Sequence, residues 1–360
     1  MASLVDNFRR ILARRFFLRS QSVECSIGVD LGSAFTKFVI LQRKGPKVML
    51  RNWGMEPILQ HFEKEQVTHG QSAFPLKSLH VCWENKEIHK SSLGVSVSGP
   101  RVMIKRLEFP TMGEEDIREH LKWELDRYIS PEMGEVLWDV HLSSSVPSNI
   151  SNKTDALLVV GQKPWIESIT SDFHQYHRKI SFVDVDAFAL ANMVMVNYDA
   201  EEMRLLVHLG PNGMLLVLLW KGEVWSVREV PFSVEWYGDL VEQMRNVQRQ
   251  YPDEYPSASV QILWEPFLDE ISEQIRDAIS EYSSFMNFSS LIAVVLSGGY
   301  AAVGGMDEKL SQKLRVPVRL LNPFNRIEVP VHIAQDPSFL SALPLLGVAV
   351  GVALRGGREA

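Results

Sequence analysis

The first indication of the fold is a short stretch near the beginning of the chain, Ile27-Gly28-Val29-Asp30-Leu31-Gly32-Ser33-Ala34-Phe35-Thr36-Lys37. In this stretch an apolar strand ends in an acidic residue, and a Gly-Ser turn leads into a second strand. The turn glycine, Gly32, lets the backbone approach a bound anion without a clash at Cβ. Successive N–H groups of such a turn can point at phosphate oxygens. The stretch therefore predicts a strand–turn–strand unit whose turn can bind phosphate.

Four side chains of this stretch could contact a phosphate or its counter-ion. Ser33 and Thr36 can donate hydrogen bonds from their hydroxyls, and Lys37 supplies a positive charge. Asp30, at the end of the first strand, can hold Mg²⁺ through water molecules. A plain hairpin with no ligand explains the stretch equally well. It is not a Walker motif, because the pattern G-x-x-x-x-G-K-[ST] is absent.

Two later stretches also place glycines directly after apolar strands. The first surrounds the turn Gly210-Pro211-Asn212-Gly213, which could bind a second phosphate by the same physics. An Asn-Gly hairpin without a ligand is a strong alternative. The second is Leu296-Ser297-Gly298-Gly299-Tyr300, where the paired glycines suit the close approach of a flat ligand such as an adenosine. An ordinary turn between a strand and a helix explains these glycines nearly as well.

Taken in order, two glycine-bearing hairpins and a later Gly-Gly turn resemble the actin-like ATPase fold, in which two related domains hold a nucleotide in the cleft between them. The expected fold class is therefore α/β, with two related domains around a nucleotide cleft and a small αβ insert. The predicted parts are a basic amphipathic N-terminal segment (1–24), a first domain (25–94, completed by a C-terminal helix, 338–356), the insert (95–180) and a second domain (181–337, with a helical part, 235–288).

Several stretches resemble one family with this fold, the type IV pilus assembly protein PilM family, which is related to the cell-division protein FtsA. The opening Gly28–Ser33 with Lys37 is similar to the family's G-[IV]-D-[IL]-G-S…K motif. The other similar stretches are Glu-Leu-Asp-Arg-Tyr-Ile at 124–129, Val-Asp-Val-Asp-Ala-Phe-Ala-Leu at 183–190, Leu-Ser-Gly-Gly at 296–299 with Gly-Gly-Met at 304–306, and Leu-Asn-Pro-Phe at 321–324. The resemblance extends over nearly the whole chain from Cys25 to Gly356.

The resemblance implies a nucleotide site for ATP and Mg²⁺. It places a first phosphate site at the opening motif and a metal-proximal carboxylate, Asp186, on the helix that connects the two domains. It also places Glu273 and Arg276, on a predicted helix over 265–288, near the purine. The residues implied or inferred for nucleotide binding are Asp30, Gly32, Ser33, Thr36, Lys37, Gly210, Asn212, Gly213, Glu273, Arg276, Gly298, Gly299 and Tyr300, and those for the metal are Asp30 and Asp186.

The resemblance also implies a partner and a location. In the family, the insert and the first domain form a groove that holds the short cytoplasmic N-terminus of the inner-membrane protein PilN. The expected partners are thus a PilN-like protein and other proteins of the pilus platform, and the expected location is the bacterial cytoplasm, at the inner membrane. A scaffold is expected in which the bound nucleotide biases domain closure and, through it, the partner groove.

One position departs from the family's pattern. The second hairpin reads Val207-His208-Leu209-Gly210, where an acidic residue usually precedes the glycine. Without that acid, a partner of the Mg²⁺ shell or of the attacking water is lost, so slow or absent hydrolysis is expected. Two alternatives remain open: a structural pseudo-ATPase of a platform related to type II secretion, and an active ATPase of the same fold.

Charge and cysteine content exclude other classes of protein. The 360 residues carry a formal net charge of −7, whereas a general nucleic-acid-binding protein needs a broad basic surface, so no nucleic-acid partner is expected. The two cysteines, Cys25 and Cys82, cannot form a disulfide framework or a four-cysteine zinc site. A reducing compartment is therefore expected.

Two apolar segments bear on membranes. Residues 1–20 contain five arginines and one acidic residue, and their apolar side chains fall near one helical face. This pattern is compatible with a helix on a membrane surface, a transit peptide or a solvated tail, and we expect docking on anionic lipid or on another platform protein. The stretch from Phe339 to Leu354 is shorter than the roughly 20 residues that a spanning helix needs. It is interpreted as a buried core helix, and the chain as soluble or peripheral.

Overall fold

The computed structural model describes residues 23–58, 88, 91–142, 153–199, 202–211, 213–232, 239, 258–283, 291–303 and 305–356. The chain forms two compact units. Unit 1 is Met1–Asn197, Phe324–Ile333 and Val348–Ala360, and unit 2 is Tyr198–Pro323 and Ala334–Gly347. Residues 1–22 of the predicted amphipathic segment, and residues 235–238, 240–257 and 284–288 of the predicted helical part, lie outside the described residues.

The described strands are numbered in chain order. They are β1 (Val23–Leu31), β2 (Phe35–Lys44), β3 (Lys47–Pro57), β4 (Ser92–Val97), β5 (Val102–Pro110), β6 (Val136–Leu142), β7 (Lys153–Gln162), β8 (Phe182–Val185), β9 (Met203–Gly210), β10 (Gly213–Trp220), β11 (Glu223–Pro231), β12 (Leu291–Ser297) and β13 (Val318–Leu320).

The described helices are numbered in the same way. They are α1 (Glu114–Glu124), α2 (Lys163–Gln175), α3 (Asp186–Asn197), α4 (Ala258–Ser283), α5 (Met306–Leu314), α6 (Val331–Ala334), α7 (Pro337–Ala342) and α8 (Gly347–Gly356). Short 3-10 turns occupy Leu125–Arg127, Pro131–Met133, Tyr300–Ala302 and Leu343–Leu345.

Unit 1 is built on a five-stranded sheet with the order β3-β2-β1-β4-β8. The first three strands are antiparallel neighbours, and β4 and β8 run parallel to β1. Helix α8 lies directly on β1, because a Cβ at Gly28 would come within 2.0 Å of the carbonyl oxygen of Ala349. The glycine therefore sets how closely the helix covers the strand that ends at Asp30.

Unit 2 repeats this arrangement in a sheet with the order β11-β10-β9-β12-β13. Its first three strands are again antiparallel neighbours, and its last two again run parallel to the central strand β9. The second glycine-bearing hairpin that the sequence predicts, around the turn Gly210–Gly213, is thus present as β9 and β10. Each strand of one sheet has an equivalent in the other, so β1, β2 and β4 correspond to β9, β10 and β12.

The insert forms a separate three-stranded antiparallel sheet, with the order β5-β7-β6. Helix α1 buries Ile117 and Leu121 in a core that includes Phe109 and Val140. The sequence predicts that Thr111 and Glu114 form a capping box at the start of this helix. This prediction is wrong. The N-cap is Gly113, two residues later, and its N–H donates to the Asp116 carboxylate at 3.3 Å.

Strand β8 and helix α3 group with unit 1, because β8 pairs with β4 in the first sheet. The predicted start of the second domain at residue 181 lies before both elements. The two compact units are defined by packing, and the predicted domain bounds stay predictions.

The predicted C-terminal helix over 338–356 is interrupted. It consists of α7, a 3-10 turn at Leu343–Leu345 that contains Pro344, and α8, whose residues are all buried. Proline cannot donate the backbone hydrogen bond of a continuous helix, which explains the break. Among the described residues no single helix is long and apolar enough to cross a membrane; α7 with its turn and α8 pass that test only when taken together as a bent pair.

Candidate functional site

The opening motif of unit 1 contains a buried ion pair. Asp30 of β1 is paired in register with Lys37 of β2, and the Lys37 Nζ atom lies 2.7 Å from Asp30 Oδ2. Both side chains are buried. A Cβ at Gly32 would lie 2.9 Å from Lys37 Nζ, so the turn closes directly over the pair. The sequence thus places a cation and a carboxylate immediately beneath the predicted phosphate-binding turn.

A second carboxylate lies in the same region of unit 1. Ser96 of β4 is in register with Asp30, and its hydroxyl donates to Asp186 Oδ1 at 2.6 Å. Asp186 is the first residue of α3 and is also buried. The two predicted metal-proximal residues, Asp30 and Asp186, are therefore brought together. Ser96 is absent from the sequence-based site, since a single serine in an apolar strand gives no distinctive signal.

The two hydroxyl residues of the opening motif occupy different environments. Ser33 is exposed in the turn between β1 and β2. Thr36 is buried, and its hydroxyl has no hydrogen-bond partner within the described part of the chain. A buried hydroxyl without a partner is costly unless a ligand or water satisfies it. The arrangement therefore suits a bound polar group beside Thr36.

The environment of Asp30 raises the pKa of its carboxyl group to about 6 from an ordinary value of 3.8. Burial is the largest cause, because it disfavours the charged carboxylate. The ammonium group of Lys37 acts in the opposite direction, and the negative charge of Asp186 raises the pKa further. Burial and the nearby carboxylate of Asp186 together raise the pKa of Asp30 more than the ion pair with Lys37 lowers it.

This pKa predicts a pH dependence of stability in the protein without bound metal. The pKa of Asp30 is higher in the folded than in the unfolded chain, so protonation of Asp30 stabilises the folded state. This stabilisation is complete below the pKa of the unfolded chain and is lost as pH rises through about 6. The free energy of unfolding of the wild type, relative to Asp30→Asn, should fall by about 2 kcal/mol between pH 4 and pH 8. Urea unfolding at several pH values measures it, and a difference that stays constant would contradict the assignment.

The carboxylates of unit 1 fit a magnesium ion that is only partly bound by protein. Carboxylate oxygens are the hard ligands that Mg²⁺ prefers, and the ion commonly keeps several waters and binds phosphate oxygens. The described residues hold no group of three or more histidine, cysteine or acidic side chains placed to bind a metal. Asp30 and Asp186 could therefore hold the water shell of Mg²⁺, while a phosphate supplies direct ligands.

The second predicted turn, in unit 2, is a hairpin between β9 and β10. Gly210 and Gly213 are paired in register, so only two residues form the loop, and the second of these, Asn212, lies outside the described residues. A Cβ at Gly213 would come within 2.3 Å of the Val230 carbonyl oxygen. The glycine is therefore required by the neighbouring strand β11.

The third predicted turn lies against the second. Gly298 follows β12 with a φ of +91°, and a Cβ there would come within 2.4 Å of the Leu209 carbonyl oxygen. Only glycine adopts this backbone conformation readily. The hydroxyl of Ser297 lies 2.7 Å from the Nδ1 atom of His208. The structure thus brings the two glycine turns of unit 2 together, which their separation of about 90 residues in sequence does not reveal.

The residues predicted near adenosine have mixed environments. Tyr300 is buried, with its ring stacked on Phe232 at 6.2 Å and edge-on to Phe267 at 6.4 Å. Gly299 is half-buried, whereas Glu273 and Arg276 lie on the exposed face of α4. The buried face of the same helix includes Phe267, so Tyr300 and α4 share one aromatic core.

These features define a class of protein. Two sheets with the same strand order, each with a glycine turn after its central strand, are typical of the actin-like ATPase fold, as the sequence predicted. The family described as type IV pilus assembly protein PilM matches residues 28–357. The chain belongs to this family, and its cellular role is in type IV pilus assembly.

One solved structure supports the fold, and others show weaker similarity. The chain resembles a PilM-PilN type IV pilus biogenesis complex with a TM-score of 0.70 and 19% identity, covering 94% of this chain and 99% of that one. It also resembles ethanolamine utilization protein EutJ from Carboxydothermus hydrogenoformans, with a TM-score of 0.48, 13% identity and coverage of 98% and 96%. The cytoplasmic domain of EpsL, from the type II secretion system of Vibrio cholerae, has a TM-score of 0.40, 11% identity and coverage of 77% and 83%. The last two similarities are too low to support an argument about fold or function.

Proposed function

We propose that this chain is a cytoplasmic, nucleotide-binding scaffold of the type IV pilus assembly platform. Membership of the PilM family supports the place in pilus assembly. The observation that carries nucleotide binding is the buried Asp30–Lys37 pair beneath the Gly32 turn. A plain hairpin gains nothing from burying an ion pair there, because the cost of desolvating two charges commonly exceeds their attraction.

The proposed ligands are ATP and Mg²⁺. The Gly32 turn would contact phosphate oxygens through its N–H groups, with Ser33 and Thr36 as further donors and Lys37 as the cation. Bound Mg²⁺ would neutralise phosphate charge, and Asp30 and Asp186 would orient its water shell. The remaining proposed nucleotide contacts are Gly210, Asn212, Gly213, Glu273, Arg276, Gly298, Gly299 and Tyr300.

The proposed partner is the cytoplasmic N-terminal peptide of a PilN-like inner-membrane protein. Support comes from the similar solved structure, which is a complex of PilM with PilN. We place the peptide in a groove between the insert and the first domain. The ATP site and the insert follow one another along the chain, since β4, which carries Ser96, leads directly into β5. Coupling between the two ligands would be reciprocal, so each would change the affinity for the other by the same factor.

Isothermal titration tests both parts of this proposal. We expect the full chain to bind ATP in the presence of Mg²⁺ and to bind a peptide from the N-terminus of a PilN-like protein. Titration of the peptide with and without saturating ATP measures the coupling, and the reverse titration must return the same factor. If the protein binds neither ligand, the proposal is wrong.

The peptide site predicts a specific role for Arg118 of the insert. Its guanidinium joins α1 to β6 through Asp139 Oδ1 at 2.6 Å and the Val140 carbonyl oxygen at 2.9 Å. Arg118→Ala leaves the buried Asp139 carboxylate without its cation, which loosens the insert. We expect peptide affinity to fall about tenfold or more, with ATP affinity nearly unchanged. Arg127→Ala is the control, because Arg127 is exposed and pairs with Glu124 on the surface. Equal effects of the two variants would contradict this role.

A membrane contact is proposed for residues 1–20. Their five arginines, and apolar residues at the spacing of an amphipathic helix, suit binding to anionic lipid, where each basic residue contributes about 1 kcal/mol. We expect the full chain to float with vesicles containing anionic lipid more than a chain that begins at Glu24. Neutral vesicles are the control, and equal flotation of the two chains would remove the membrane contact from the proposal.

A further inference from the structure

The internal repeat allows the two phosphate turns to be compared residue by residue. Val29-Asp30-Leu31-Gly32 of unit 1 corresponds to Val207-His208-Leu209-Gly210 of unit 2, and the two differ only at their second position. At that position the neighbouring strands supply one residue on either side. The three residues in register are Lys37, Asp30 and Ser96 in unit 1, and Leu215, His208 and Ser297 in unit 2.

This comparison reveals a change of chemistry across the repeat. The serine is present in both units, but the carboxylate of Asp30 is replaced by the imidazole of His208, and the ammonium group of Lys37 by the side chain of Leu215. An ion pair thereby becomes a hydrogen bond between the His208 ring and the Ser297 hydroxyl. A bond to one ring nitrogen fixes the orientation of an imidazole. The half-buried ring is therefore held at the end of β9, beside the Gly210 turn.

The two side chains would act differently on a bound phosphate. A carboxylate repels phosphate but can orient the water shell of a metal or accept the proton of an attacking water. An imidazole N–H instead donates directly to a phosphate oxygen, and charge-assisted bonds of this kind are strong. The close contact of Gly298 with Leu209 supports the turn from the side of β12. Replacing the carboxylate by an imidazole thus favours binding of the phosphate group and disfavours orienting a water molecule for attack on it.

We infer that His208, oriented by Ser297, contacts a phosphate of the bound nucleotide as a hydrogen-bond donor and takes the place of the residue that would promote hydrolysis. ATP is then a retained ligand that stabilises one state of the scaffold, and it is not consumed. The inference rests on the proposed nucleotide site and specifies how that site is regulated: by binding and release of ATP, without a hydrolytic step.

Binding measurements test the contact directly. We expect His208→Ala to weaken ATP binding about tenfold, the loss of one hydrogen bond to a charged group. His208→Asn keeps an N–H donor and should lose less. Ser297→Ala leaves the ring but removes its hydrogen bond, so an intermediate loss is expected. Unchanged ATP affinity in His208→Ala would overturn the contact, whereas a wild-type protein that binds no ATP would overturn the proposed nucleotide site itself.

Phosphate release tests the second part of the inference. His208→Asp restores in unit 2 the Asp-Leu-Gly sequence of unit 1 and should raise the rate of phosphate release at least about tenfold over the wild type. In this reaction a water oxygen bonds to the terminal phosphorus, the bond from that phosphorus to the bridging oxygen breaks, and the introduced carboxylate takes a proton of the water. His208→Asn, of the same size without the charge, should release phosphate no faster than the wild type.

The controls keep each outcome informative. Thermal unfolding shows whether the His208→Asp variant is folded. If it is not folded, the ATP affinities of His208→Ala, His208→Asn and Ser297→Ala are sufficient to test the inference. A wild-type protein that releases phosphate, and loses this activity in His208→Ala, would make the imidazole a base and overturn the inference. A folded His208→Asp variant that binds ATP and releases phosphate no faster than His208→Asn would overturn it as well.

Discussion

Gly351→Ala is expected to destabilise the protein by about 3 kcal/mol, although alanine is by far the better helix former. Gly351 lies in α8, where that helix crosses α3 of the same unit. A Cβ at this position would come within 1.7 Å of the Ala189 carbonyl oxygen and 2.4 Å of its carbonyl carbon. Both atoms belong to the backbone of α3, so no side chain can move aside. The helices must separate, and α8 would lose its contact with β1.

Helix propensity and packing predict opposite signs for the change in stability of Gly351→Ala. Helix propensity alone predicts that glycine to alanine stabilises a helix by about 1 kcal/mol, whereas packing predicts a large loss. Gly113→Ala is a suitable control, because a Cβ there would meet only the Asp116 carboxylate at an ordinary 3.5 Å. It should change stability by about 1 kcal/mol or less. Urea unfolding measures both variants, and a Gly351→Ala protein as stable as the wild type would contradict the close crossing of α3 and α8.

The turns that define the fold could be predicted because each one is coded locally. A glycine after an apolar strand is a strong signal. Gly213 and Gly298 are required by neighbouring backbone atoms in the structure, and a Cβ at Gly32 would press on Lys37 Nζ at 2.9 Å. The recurrence of Val-x-Leu-Gly at 29–32 and 207–210 similarly points to two equivalent sheets. The fold class and the family were predicted from the resemblance of the ordered set of motifs between residues 25 and 356 to the PilM family, since no single turn identifies either.

The parts that sequence did not predict depend on contacts between distant residues. Ser96 and Ser297 are ordinary strand residues until the register of β4 and β12 sets them beside Asp30 and His208. The interruption of the C-terminal helix is a second example. The apolar residues of 339–354 suggest one continuous core helix, but Pro344 separates two helices that belong to different compact units. Hydrophobic pattern identifies burial, and it does not specify which core receives each segment.

Lys37→Met is expected to separate the structural from the binding role of the buried ion pair. The substitution keeps most of the side-chain length and removes the charge, so Asp30 remains buried without its cation. Removing one partner of a buried pair costs about 3–5 kcal/mol, reduced here because the raised pKa of Asp30 lets the carboxyl group take up a proton. Lys44→Met is the control, since Lys44 lies exposed at the other end of β2. It should change neither stability nor ATP affinity.

The double variant Asp30→Asn/Lys37→Met removes both charges together and should recover most of the lost stability, because a neutral pair has no buried charge to compensate. Its ATP affinity should nevertheless stay about tenfold to a hundredfold below that of the wild type, since the cation proposed to contact phosphate is absent. Urea unfolding and isothermal titration with ATP measure the two properties on the same samples. A double variant that regains both stability and wild-type ATP affinity would limit Lys37 to a structural role and move the phosphate site elsewhere.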